Sequence, residues 1–506
     1  MLMRACTAFG ILVVSLSCNV LADESSTDTS KPGATSDPLP NIVVILADDL
    51  GWNSVGYHNE EFQTPHIDSL VASGITLNRF YVAPMCSPTR AGMMTGRYPI
   101  RFGCARAVIP PYRDFGLPTS EVTLPEMLST LGYKNRGIFG KWHLGHRRAK
   151  WHPLAQGFTH FHGHYNGAID YFDLSRDGVH DWHVGFDSLD EQGYATDLIA
   201  DAAAKWIRQS AESDAPYFCY VPFNAPHSPY QAPEEAIEQY GDLPEATDRD
   251  GKHREIYKAM IGRMDEGIGR ILQAVENSGE SDNTIVWFFS DNGGVGNLQD
   301  INKPLKGAKL TVFEGGIRVP ACVRWPAKIP ARNSTDVVCG YIDLLPTLVA
   351  IAGGECSKLS EQTIDGIDLT SVFAEPAASV AERSWFSYHG QSGVSSEHLA
   401  IVDKGWKLVV NGPQLTDVKQ LKDGSHQVRL YHLEQDLNET NNLVKEKPRK
   451  VTQLAKQLID HRSLQPKNAV PSYAIGRAGF IPPPLWTLDP ADPDKLVGGY
   501  EANESK

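Results

Sequence analysis

The chain has 506 residues, 41% of them hydrophobic and 21% charged, with 44 Gly and 33 Pro, a composition that excludes disordered, collagenous and coiled-coil classes. With 61 acidic against 47 basic residues the net charge is −14, so general attraction to nucleic acid or to an anionic membrane is excluded, and an anionic ligand needs a local positive site. The length suits one large α/β domain joined to a smaller one.

Residues 1–22 carry one basic residue, Arg4, an apolar run through Leu16, and the small Ala22 before Asp23. This reads as a secretory signal peptide and implies an exported protein, periplasmic or secreted. Lipidation at Cys18 is the alternative. No later segment offers about 18 uninterrupted apolar residues, so no membrane span is expected. The polar stretch 23–38 reads as a disordered leader. Of eight cysteines, Cys6 and Cys18 fall in the signal. The other six show no C-x-x-C pair or Cys/His zinc spacing, which excludes a disulfide scaffold and a structural zinc site.

NIVVILA at 41–47 is a continuous β-branched run, the mark of a strand buried on both faces of a parallel sheet, and it stops at Asp48 and Asp49. A helix is expected after Thr64 with Pro65 at its first position. Another is expected after Thr123, with Leu124, Leu128 and Leu131 on one face and Gly132 closing it. Strand candidates follow at 135–139, 217–221 and 284–289. Before the latter two, Ala195, Ile199, Ala202, Ala203 and Trp206, then Ile256, Met260, Met264, Ile268, Ile271 and Val275, mark amphipathic helices. Alternation of this kind implies a mostly parallel sheet covered on both faces, a catalytic domain over 39–385. Over 386–506 short segments such as 405–410 and 429–433 suggest a smaller antiparallel unit, with an irregular tail from Ile481.

Ligands of α/β sheets bind beyond the carboxyl ends of the strands. Asp48 and Asp49 follow the first strand, and Asp291 and Asn292 follow TIVWFFS at 284–290. These hard oxygen donors suit Ca²⁺ or Mg²⁺. Either pair alone could be ordinary turn chemistry. In MCSPTRAGMMTGR at 85–97, a small buried cysteine ahead of a helix started by Pro88 is the structural alternative to a reactive group.

The run Cys86-Ser87-Pro88-Thr89-Arg90, continuing to Thr95-Gly96-Arg97, resembles the signature of the type I sulfatases, with Thr89 where most members have Ser or Ala. Seven further blocks resemble that family in order: ADDLGW at 47–52, TPHIDSL at 64–70, GKWHLG at 140–145, NAPHSP at 224–229, SDNGG at 290–294, KLTVFEGGIRVP at 309–320 and LYHLEQDLNETNNL at 430–443. The resemblance implies an alkaline-phosphatase-like α/β/α sandwich with a smaller C-terminal antiparallel α+β subdomain. It implies that a maturation enzyme oxidises Cys86 to formylglycine, and that Asp48, Asp49, Asp291, Asn292 and the modified Cys86 bind a divalent cation, Ca²⁺ rather than Mg²⁺. Arg90, Lys141, His143, His227 and Lys309 match the family's catalytic and sulfate-binding positions.

The chemistry is coherent, because a captured sulfate must also be released. An aldehyde hydrate has one hydroxyl to attack sulfur and a second to expel sulfate afterwards. His143 then serves as the base, while His227 and Lys309 protonate and stabilise the leaving oxygen. RYPIRFG at 97–103 and GHYNGAIDYF at 163–172 resemble arylsulfatases of the N-acetylgalactosamine-4-sulfatase type, which favours a sulfated carbohydrate substrate. Eight of the 17 histidines lie between Trp142 and Phe186, among them His160, His162, His164, His180 and His183. With Trp151, Tyr165, Tyr171, Phe172 and Trp182 they form either a sugar-binding wall or a packed excursion. Glu314-Gly315-Gly316 reads as a tight backbone feature, its glycines supplying positive φ and close approach. The competing functions are a formylglycine-dependent phosphate or phosphonate monoesterase, an inactive relative that binds sulfated polysaccharide, and a calcium-stabilised structural protein.

Overall fold

The computed structural model describes residues 38–240 and 249–500. The expected signal at 1–22 and all but the last residue of the leader lie outside them. Strand β1 (Asn41–Ala47) is buried at every position. Its side chains alternate between two cores, Val43 and Ile45 entering one and Ile42, Val44 and Leu46 the other, as a pleated strand covered on both faces must. Each such residue contributes about 1.5–3 kcal/mol by leaving water.

The other strands of this sheet are β2 (Ile75–Leu77), β3 (Asn135–Lys141), β4 (His160–His164), β5 (His183–Val184), β6 (Asp187–Ser188), β7 (Tyr217–Pro222), β8 (Thr284–Ser290), β9 (Ala321–Arg324) and β10 (Asn333–Thr335). The ten strands run β10-β2-β9-β8-β1-β7-β3-β4-β5-β6. The central five, β8-β1-β7-β3-β4, are parallel, and antiparallel pairs flank them at β8-β9 and β4-β5. This is the expected mostly parallel sheet.

Helices α1 (Pro65–Ala72), α4 (Ala195–Ser210) and α5 (Arg249–Asn277) cover one face. On the other lie α2 (Cys86–Thr95), α3 (Leu124–Thr130) and α6 (Leu344–Ile351). The start of α3 follows from Thr-Leu-Pro-Glu, since Thr123 and Glu126 form a reciprocal capping box. Helix α2 begins at Cys86 rather than at Pro88, with Met85 as its cap.

The C-terminal segments form an antiparallel meander, β11 (Trp385–His389), β12 (Glu397–Asp403), β13 (Trp406–Gly412) and β14 (Gln427–His432), backed by α7 (Pro448–Arg462). Leu399, Ile401, Leu408 and Val410 of this sheet share one hydrophobic core with Ile42 and Val44. From 482 to 498 the chain is irregular, Gly499–Tyr500 pairs with Phe480–Ile481, and Trp486 and Leu488 anchor the segment in the core. Among the described residues no helix is long and apolar enough to cross a membrane.

Candidate active site

Because β1 and β8 pair in parallel with Ala47 opposite Ser290, their carboxyl ends stop at one level. That register sets Asp48 and Asp49 beside Asp291 and Asn292. The ladder continues one step beyond the strands, with Asp291 N–H donating to Ala47 O at 3.0 Å. Asp49 has φ +67°, a left-handed conformation costly for a non-glycine residue. It is held there by the Tyr257 hydroxyl, which donates to its carbonyl at 3.0 Å, and by Asn292 Nδ2, which donates to its Oδ1 at 2.7 Å.

Neighbouring parallel strands deliver the other groups to the same edge. Strand β3 ends in Lys141, with His143 two residues on, and β7 leads to His227. From the opposite side α2 presents Cys86 at its first position and Arg90 one turn later, on the same helix face and equally buried. Arg90 Nε and Nη2 donate to Asp291 Oδ2 at 3.0 and 2.8 Å, and Nη1 donates to the Lys141 carbonyl at 2.9 Å. The Lys141 ammonium pairs with Asp48 Oδ2. Lys309 Nζ spans both oxygens of Asp49 at 2.6 and 2.9 Å, and His227 Nε2 lies 3.7 Å from Asp49 Oδ2. Lys309 is thus set apart from Lys303, which is two-thirds exposed beside Asp300, and from Lys306, which donates to the Glu439 carbonyl. Thr89 accepts from the Ala83 N–H at 2.9 Å, a structural bond that its hydroxyl supplies as serine would.

Burial alone would raise the Asp48 carboxyl, but Lys141, His227 and Arg90 together hold it below the usual carboxylate range. Asp291 is pushed up to about 7 by burial and by the neighbouring Asp48 charge, against the pull of Arg90. The two carboxyls therefore titrate as a unit in which the second ionises against the first. Burial, reinforced by Lys141 and Arg90, depresses His143 well below the usual histidine value; burial and Lys309 depress His227. Both imidazoles are therefore neutral at neutral pH. Burial raises the Cys86 thiol despite Lys141 and Lys309, so the unmodified residue is a poor thiolate.

One oxygen or sulfur atom from each of Asp48, Asp291 and Cys86 falls within a 4.8 Å set. Asp48 Oδ1 and Asn292 Oδ1 are buried without a hydrogen-bond partner. Orphaned hard acceptors are costly unless something absent from the protein itself satisfies them. Three carboxylates and an amide oxygen fit a divalent cation, and His227 Nε2 stands at the margin of the same cluster.

A cavity of about 180 Å³ opens over this floor, with Cys86, His143, His227 and Lys309 among its lining residues. Every site residue expected from the sequence therefore converges on one cluster. The cavity also takes in Arg176, from the 142–186 excursion, and Gln391 and Tyr473, from the C-terminal part, which sequence reasoning missed. The one available signal was Arg-Asp-Gly at 176–178, a hairpin-turn pattern.

The aromatic and histidine residues of the excursion mostly pack on one another. His152 stacks on Phe186 with ring centroids 3.9 Å apart, and Tyr165 on His183 at 4.1 Å. Gly167 has a direct role, because a Cβ there would overlap the His143 ring. At Glu314-Gly315-Gly316 the close approach is present, since a Cβ on Gly316 would collide with the Thr311 carbonyl. Neither glycine has positive φ, because the segment is a helical turn, Glu314–Ile317. Glu314 is fully buried in an ion pair with Lys407.

Known proteins match this architecture. The sulfatase family model matches residues 40–354 and the N-sulphoglucosamine sulphohydrolase C-terminal model matches 308–465. Mouse arylsulfatase J is 31% identical over 424 residues, covering 76% of this chain and 66% of that protein. Mouse N-acetylgalactosamine-6-sulfatase is 32% identical over 441 residues, covering 81% and 79%. The solved structure of Ps i-CgsB in complex with k-i-k-neocarrahexaose superposes with a TM-score of 0.76 and 26% identity, over 86% of this chain and 95% of that one. With the family model covering more than half the chain and the sheet, helices and C-terminal meander all in place, the chain belongs to the sulfatase family of sulfuric ester hydrolases.

Proposed function

We propose that this protein hydrolyses sulfate monoesters of a sulfated carbohydrate, with Cys86 converted to formylglycine and Ca²⁺ held by Asp48, Asp49, Asp291 and Asn292. The observation that carries the reading is the convergence of Cys86 with two buried carboxylates beneath an open cavity. The names of similar proteins support the substrate class, since one is an N-acetylgalactosamine-6-sulfatase and another was solved with a neocarrahexaose. The 4-sulfatase resemblance in the sequence leaves positions 4 and 6 of such a sugar as the two sites to test.

A formylglycine hydrate at position 86 supplies one hydroxyl to attack sulfur and another to release sulfate, and a bound cation lowers the pKa of such a hydroxyl. The remaining work falls to side chains of this chain. Lys141 and Lys309 bring positive charge to a pocket whose protein is acidic overall, where preorganised donors act on charge developing in the transition state. Arg90, held by three hydrogen bonds, orients Asp291 against the nucleophile position. His143, neutral and with Nδ1 unpartnered, accepts a proton as sulfate is released. His227, whose Nδ1–H donates to the Ser228 carbonyl at 2.6 Å, has Nε2 turned toward Asp49 and Lys309; it delivers a proton to the leaving oxygen from its minor imidazolium form, which the Asp49 and Asp48 charges favour against burial and Lys309. The N-terminus of α2 at Cys86 adds a favourable dipole for the anionic group.

The deciding experiment pairs mass spectrometry of the peptide containing position 86 with turnover of matched sulfate and phosphate esters. Formylglycine in active material and faster sulfate release are expected. An intact thiol throughout active material would overturn the mechanism, and faster phosphate release would make the protein a phosphate or phosphonate monoesterase.

A further inference from the structure

Two polar groups in the cavity take no part in the chemistry described. Arg176 belongs to a hairpin in which Ser175–Arg176 pairs with Val179–His180. The two turn residues, Asp177 and Gly178, have φ +52° and +80°, the double left-handed geometry of a tight type I′ turn. The base of the hairpin is tied down, with Asp181 N–H donating to the Leu174 carbonyl at 2.9 Å and Asp170 N–H to the Ser175 carbonyl at 2.8 Å. The Asp181 carboxylate in turn accepts from the backbone N–H groups of Tyr165 and Asn166 at 3.0 and 2.9 Å, fixing the strand end that carries Gly167 onto His143. The guanidinium is therefore built on the same rigid excursion as the catalytic imidazole's support. Its one ion pair among the described residues is Nε to the exposed Asp177 at 3.2 Å, which leaves the terminal nitrogens open. Gln391, at the end of the β11 turn, lines the same cavity and has a buried Oε1 without a partner.

We propose that Arg176 and Gln391 form a second subsite, in which Arg176 binds a further anionic group of the substrate, a carboxylate or a second sulfate, while Gln391 accepts a hydroxyl or amide N–H of the same sugar. The inference rests on the proposed sulfatase reading and narrows its substrate to a polyanionic saccharide. A planar guanidinium with two free Nη groups matches either anion bidentately. The apolar wall of the cavity, Val108, Pro110, Pro111 and Leu310, suits the carbon face of a sugar ring between the two anions.

The test uses a disaccharide that carries a hexosamine sulfate, a second sulfate and a uronate carboxylate, with a monoanionic aryl sulfate as reference. Arg176→Ala is expected to lower kcat/KM on the disaccharide by about tenfold to a hundredfold, chiefly through KM, and on the aryl sulfate by less than about threefold, with Arg176→Lys between. Repeating the comparison with the uronate methylated, and separately with the second sulfate removed, identifies the bound group as the one whose loss makes wild type and Arg176→Ala alike. Equal losses on disaccharide and aryl sulfate, no loss on either, or a gap that survives both modifications would each overturn the subsite. Absence of sulfate release by the wild type from every substrate would overturn the functional reading and the subsite with it.

Discussion

Two clusters of charge are buried in this molecule, and they differ in what they leave undone. In the first, Asp48, Asp49 and Asp291 meet Arg90, Lys141 and Lys309 at the strand ends, yet Asp48 Oδ1 and Asn292 Oδ1 have no partner and a cavity opens above. In the second, Lys407 Nζ lies 2.8 Å from Glu314 Oε1 and 3.0 Å from Glu439 Oε1. The Tyr81 hydroxyl donates to Glu314 Oε2 at 2.9 Å, and Glu314 N–H donates to Glu439 Oε2 at 2.8 Å. This cluster ties the meander to Tyr81 and the Glu314–Ile317 turn; Glu439 Oε1 also lacks a hydrogen bond, but the Lys407 ammonium faces it at 3.0 Å. Buried charge by itself is thus no mark of a site; the unpaired acceptor beside an opening is.

The comparison breaks most sharply under substitution. Cys86→Ala is expected to lower turnover by about 10⁴-fold or more, with little change in thermal melting, because the nucleophile is removed from an otherwise intact cluster. A variant that retains even a tenth of wild-type sulfate release would refute the role of position 86. Lys309→Ala should reduce turnover by about 10²–10³-fold, measured as sulfate release. Lys407→Ala should instead cost about 3–5 kcal/mol in denaturant unfolding, because Glu314 and Glu439 are left facing each other unpaired. If the two lysine variants showed the same balance of lost activity and lost stability, the distinction between the clusters would fall.

Calcium sharpens the contrast further. At a hundred times its dissociation constant the ion should stabilise the wild type by about 2.7 kcal/mol in thermal or denaturant melts, and Asp48→Asn should abolish most of that gain. Equal stabilisation of both proteins would move the ion elsewhere. The mildest effect concerns pH. His143 must be neutral to accept a proton, and burial, Lys141 and Arg90 lower its pKa, so acid loss of kcat should set in below the ordinary value of 6.5. A limb in the pH profile at or above that value, absent from His143→Gln, would contradict the environment described here.

The strands and helices that frame the catalytic cluster were legible because each leaves a local pattern. NIVVILA and TIVWFFS announce strands covered on both faces, and the polar residues following each announce the edge where ligands bind. Thr123 and Glu126 announce a helix start. Arg176, Gln391 and Tyr473 were not legible, because nothing local distinguishes a hairpin arginine or a loop glutamine that lines a cavity from one that faces solvent. The histidine-rich excursion left two readings open, a sugar wall and internal packing. Its aromatic composition suits a sugar wall, but His152, Tyr165 and His183 satisfy one another by stacking, and the excursion reaches the cavity through Gly167, Ala168 and Arg176 instead.

What the amino-acid sequence determined alone was the α/β alternation and the oxygen donors at two strand ends, since periodicity is a property of the chain; the proposed catalytic set followed from its resemblance to the sulfatase family. What the tertiary structure decided was which buried charges are complete and which remain open, and which distant residues close the cavity over Cys86. Those depend on register between strands such as β1 and β8 and on the meander packing against the main sheet, contacts between residues hundreds of positions apart for which no local pattern exists.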